Sequence, residues 1–71
     1  MAVVYAAQIQ TTLKEIVRRS GTELTRGDLI ESAEIELDVE RDRIVEQLDS
    51  LDQRGEVYHV GDGADAEVRV P

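Results

Sequence analysis

The sequence predicts a mainly α fold with a small β-hairpin: three helices followed by a C-terminal two-stranded ribbon, in one domain over residues 1–71. Three observations predict it. Apolar side chains recur at helical spacing as far as Leu51. Beyond Gly55 the apolar period drops to two, the spacing of a strand. Turn-forming residues fall at Gly21, Gly55 and Gly61-Asp62-Gly63, and the single proline is Pro71, so no breaker interrupts the helical stretches.

Helix one is expected over about residues 3–19. Ile9, Leu13, Ile16 and Val17 stand at i, i+4, i+7 and i+8, the stripe of an amphipathic helix. Arg18 and Arg19 suit the negative end of its dipole, and Gly21 is the expected left-handed stop. Val3, Val4, Ala6 and Ala7 extend the apolar surface around more than one face. Val3, Val4 and Tyr5 are therefore the candidate interaction residues, for a protein partner or a second copy docking through helix one.

Helix two is expected over about residues 26–37. Thr25 and Asp28 have the spacing of a capping box, with Asp in place of Glu. Leu29, Ile30, Ala33 and Leu37 supply its apolar face. Asp38 is read as the N-cap of helix three, over about residues 39–54, with Ile44, Val45, Leu48 and Leu51 buried and Gly55 as the stop. With almost no loop between them, helices two and three read as a helix-turn-helix. Two β-branched runs, residues 56–60 and 66–70, make the hairpin, and the Gly, Asp and Ala residues between them suit a flexible tip. Pairing Val57 with Val70 sets His59 beside Val68; a one-residue slip pairs Tyr58 with Val70.

Seventy-one residues with 41% apolar and 34% charged side chains form a globular composition. A chain of this length buries only about 60% of its unfolded surface. Lacking Phe and Trp, it must build a thin aliphatic core. Such a core leaves no room for a large two-domain enzyme. No window reaches the roughly 18 apolar residues of a bilayer span. The start MAVVYAAQIQ lacks the basic region of a secretion signal, and the absence of cysteine removes disulfides and thiolate metal sites. A cytoplasmic location without membrane contact is the expectation.

Eight basic residues against sixteen acidic ones give a net charge of −8, and Lys14 is the only lysine among the eight. Abundant carboxylates with almost no lysine resemble the composition of proteins from salt-loving archaea, where a Debye length of about 3 Å at 1 M salt weakens self-repulsion. The chemistry of an enzyme is not evident. Ser20, Ser32, Ser50 and His59 have no triad partners at meaningful spacing. Gly61-Asp62-Gly63-Ala64-Asp65-Ala66 fails the spacing of a calcium loop. No catalytic residue, metal, cofactor or small-molecule substrate is expected.

The stretch from Leu24 to Val60, LTRGDLIESAEIELDVERDRIVEQLDSLDQRGEVYHV, resembles the core of the winged helix-turn-helix superfamily. Its exit, with Leu51, Gly55, Val57 and Tyr58, is similar to the C-terminal winged-helix domain of archaeal minichromosome maintenance helicases and to small archaeal transcription regulators. The resemblance implies a non-enzymatic module in transcription regulation or DNA replication, with helix three in the major groove and the wing along phosphate. Arg26, Arg41, Arg43, Gln47 and Arg69 are then the candidate DNA contacts. Charge opposes this. Residues 22–54 carry four Arg against eleven acids, a net of −7, while residues 1–21 carry +2 and residues 55–71 carry −3. DNA affinity rests largely on cations meeting phosphates. The alternative is a protein-binding adaptor that docks its partner on an acidic third helix.

Overall fold

The computed structural model describes residues 4–21 and 24–71. It contains helices α1 (Ala6–Ser20), α2 (Arg26–Leu37) and α3 (Arg41–Gln53), then strands β1 (Tyr58–Val60) and β2 (Glu67–Arg69), with a short 3-10 turn at Gly63–Asp65 between the strands. The expected mainly α architecture with a C-terminal hairpin is therefore what the chain adopts.

α1 begins later than its apolar pattern suggests. Val4 and Tyr5 precede the helix, and Val3 lies outside the described residues. Tyr5 is the N-cap, and its backbone N–H donates to Gln8 Oε1 at 2.7 Å, which anchors the first turn. The helix closes at Gly21, which has a positive φ of 70° but a ψ of −126°. This is a conformation open to glycine but not the left-handed helical stop expected.

α2 has the expected bounds. Thr25 Oγ1 accepts from the Asp28 N–H at 3.2 Å, so the cap forms in one direction. Asp38 differs from expectation. It adopts left-handed angles (φ 52°, ψ 49°) and closes α2, donating its N–H to the Glu34 carbonyl at 2.9 Å. An Asp tolerates that region better than most residues. Val39 consequently lies in the connection, half-buried against the core, and Glu40 is the N-cap of α3. At the other end Gly55 takes φ 75° and lets the Glu56 N–H reach back to the Leu51 carbonyl at 2.9 Å.

The core is aliphatic. Ile9, Leu13, Leu29, Ile44, Leu48 and Leu51 are wholly excluded from solvent, with Ile16, Val17, Ile30 and Ala33 beside them. Val45 and Leu37, expected inside, are half-buried at its margin. The hairpin seals the open side with Val57, Ala66 and Val68. At about 1.5–3 kcal/mol for each buried valine, this is a substantial share of the stability of so short a chain. The register is Tyr58–Arg69, His59–Val68 and Val60–Glu67, which excludes the one-residue slip.

The hairpin tip is not free. The Ala66 carbonyl accepts the Arg26 N–H at 2.7 Å, one of the donors that the first turn of a helix leaves unpaired. Thr25 bridges to Glu67, and the Val68 N–H donates to the Leu24 carbonyl at 2.9 Å. Leu24 and Thr25 thus tie the ribbon to the start of α2 through an isolated bridge beside the two-stranded sheet.

Truncating Leu48 to Ala should cost about 2–5 kcal/mol, the range for a buried leucine. Ile35→Ala, at a side chain 78% exposed on α2, should stay within about 0.5 kcal/mol. Urea unfolding followed by circular dichroism measures both.

Candidate functional site

The five residues expected to contact DNA each have a hydrogen-bond or ion-pair partner within the fold. Arg26 lies at the start of α2 with its side chain only 20% exposed. Its guanidinium donates to Asp49 Oδ1 and to His59 Nε2, each at 3.0 Å. Because a guanidinium can only donate, His59 accepts through Nε2. His59 Nδ1 then faces Asp52 Oδ1 at 3.6 Å. Arg26 is accordingly a strut between α2, α3 and β1.

The remaining candidates are likewise engaged within the fold. Arg41 pairs with Glu34 across the α2–α3 turn at 2.8 Å. Arg43 donates to the Val4 carbonyl at 2.6 Å, and Gln47 accepts from Gln10 at 2.7 Å, so this side of α3 is tied to α1 and the residues before it. Arg69 is clamped by Glu67 two residues away, and together with Tyr58 this carboxylate holds the guanidinium even more firmly charged than usual. Beside the exposed Arg41 and Arg43, α3 carries a line of carboxylates. Asp42, Glu46, Asp49 and Asp52 are all exposed and follow one another at spacings of four, three and three, which places them along one stripe.

The candidate interaction residues divide as well. Val4 is half-buried and packs on the core, whereas Tyr5 is 67% exposed. The apolar surface expected from residues 3–5 is thus represented, among the described residues, by Tyr5 alone.

Two features were not legible in the sequence. The first is an ion-pair group that joins α1 to the segment between α3 and the hairpin. Lys14 Nζ meets Glu56 Oε1 at 3.0 Å, and Arg54 meets Glu56 Oε2 at 2.9 Å. The bond from Lys14, opposed by loss of solvent and aided by the Arg54 charge, holds the Glu56 carboxyl below its ordinary value. The second is a groove of about 310 Å³ between the end of α1 and the hairpin, lined by Val17, Arg18, Gly21, Tyr58, Arg69 and Val70. Partners 42 residues apart, such as Lys14 and Glu56, carry no signal in local spacing. Among the described residues no cluster of three or more His, Cys, Asp or Glu is placed to hold a metal ion, and no helix is long and apolar enough to cross a membrane.

Since the folded Glu56 carboxyl binds its proton less readily than the unfolded one, its stabilisation is complete above the unfolded value near 4.5 and is lost as pH falls through the lower folded value. Glu56→Gln should flatten the acid limb of a stability-versus-pH curve measured by chemical denaturation. An unchanged acid limb would separate the pair from acid sensitivity. Comparison with protein-family models, curated proteins and solved structures finds no match to this chain.

Proposed function

We propose that this chain is a non-enzymatic winged-helix-type module of a DNA transaction that works by binding protein, with the exposed stripe of α3 as the docking face for a basic segment. One observation carries the reading. Arg26, Arg41, Arg43, Gln47 and Arg69 are each engaged within the fold, while the α3 stripe presents Asp42 and Glu46, which pair with no described residue, and Asp49 and Asp52, already beside Arg26 and His59.

A groove-reading helix needs cations and hydrogen-bond donors aimed outward, and this stripe offers carboxylates. In the same fold-level analogy, the helix order and the docked hairpin support a winged-helix shape, and the resemblance to replication and regulatory modules supports the setting. A carboxylate-rich surface with one lysine fits a cytoplasmic protein of a salt-loving archaeon, where long-range charge is screened and a basic segment must meet the carboxylates at contact distance.

The DNA-binding reading retains one physical support. The Arg41–Glu34 pair is exposed, and exposed pairs are worth only about 0–1 kcal/mol, so that arginine can be released to phosphate at little cost. A salt series separates the two. Titration with duplex DNA from low salt to molar KCl, read by fluorescence anisotropy, should give no binding at any salt. Affinity that falls linearly with log salt, and disappears in Arg41→Ala and Arg43→Ala, would overturn the adaptor reading.

A further inference from the structure

The groove between the end of α1 and the hairpin has a character opposite to the rest of the surface. It belongs to a chain with sixteen acidic residues, yet among the described residues two arginines and no carboxylate line it, with Glu67 beside Arg69. Val17 and Val70 give it an aliphatic floor, and Tyr58, 42% exposed, forms one wall. Arg69 is held in place by Glu67. Arg18 is exposed and makes no ion pair or side-chain hydrogen bond with any described residue. At about 310 Å³ the space reaches the lower end of the range for ligand sites and admits one or two side chains.

We propose that this groove binds a short acidic peptide segment, seating an apolar side chain on Val17, Val70 and Tyr58 and a neighbouring carboxylate on Arg18. Two arguments select this occupant. The floor is aliphatic, so it favours a leucine- or phenylalanine-type side chain over a polar nucleobase. A carboxylate next to that side chain complements the exposed Arg18 guanidinium, which makes no ion pair with any described residue. A long polyanion would also run from the groove onto a surface that carries the rest of the net −8, while a short peptide keeps its carboxylate within reach of Arg18. This site is separate from the stripe on α3 and does not depend on the function proposed for it.

The test is a titration of the isotope-labelled chain with the capped hexapeptide DDLFDD, followed by amide chemical shifts at low salt. Shifts should concentrate at Val17, Arg18, Tyr58, Arg69 and Val70. Replacing the probe with DDGSDD or KKLFKK should abolish them. Arg18→Glu should weaken binding roughly tenfold or more. Arg19→Glu changes the net charge identically but acts at a residue paired with Glu36 outside the groove, so it should leave most of the affinity. A circular dichroism spectrum confirms that each variant remains folded. The proposal is overturned by no shifts at millimolar peptide, by equal response to KKLFKK, or by equal loss in the two arginine variants. Stronger shifts of the same amides with an oligothymidylate would reassign the groove to single-stranded nucleic acid.

Discussion

A chain of 71 residues without Phe or Trp has to make a core from Val, Leu, Ile and Ala alone, and three short helices leave such a core open on one side. The hairpin closes it. Val57, Ala66 and Val68 are as buried as the helical leucines, and their position depends on the backbone bonds from Arg26 to Ala66 and from Val68 to Leu24. Those bonds also satisfy donors and acceptors that the start of α2 and the strand edge would otherwise leave unpaired. Closure of the core, capping of α2 and fixing of strand register are therefore one arrangement. If the ribbon lifts, all three fail together.

That arrangement also decides what the surface can do. The side chain of Arg26 is drawn into the junction between α2, α3 and β1, where Asp49 and His59 hold it. Arg43 and Gln47 are drawn toward the α1 side. A small fold with few cations has spent most of them on joining its elements, and the outward face of α3 keeps its carboxylates. Individually such exposed pairs contribute little. Their consequence is directional, because each guanidinium already faces a carboxylate or carbonyl. Among the described residues Arg18 stands outside this network, and the groove it borders sets a guanidinium over an aliphatic floor.

The helices were legible because their signals are local. The Ile9–Leu13–Ile16–Val17 stripe, the Thr25 cap and the stop at Gly55 each lie within a few residues of the feature they define. Asp38 was misread because an Asp suits a helix start and a left-handed helix end alike, and only the backbone angles distinguish them. The loop from Gly61 to Ala66 reads as a flexible tip from its composition. Its docking depends on Arg26, 40 residues from the Ala66 carbonyl it meets, and no local pattern encodes that. The intramolecular partners of Arg26, Arg41 and Arg43 lie 7 to 39 residues away, and no local spacing announces them.

Native-state hydrogen exchange at the amides of Arg26 and Val68 tests the closure most directly. If the ribbon seals the core, both amides exchange only through global unfolding and match the protection of the Leu48 amide at the centre of α3. Exchange of Arg26 and Val68 at the rate of an unstructured peptide, with α3 still protected, would contradict the account and leave the three helices standing without their lid.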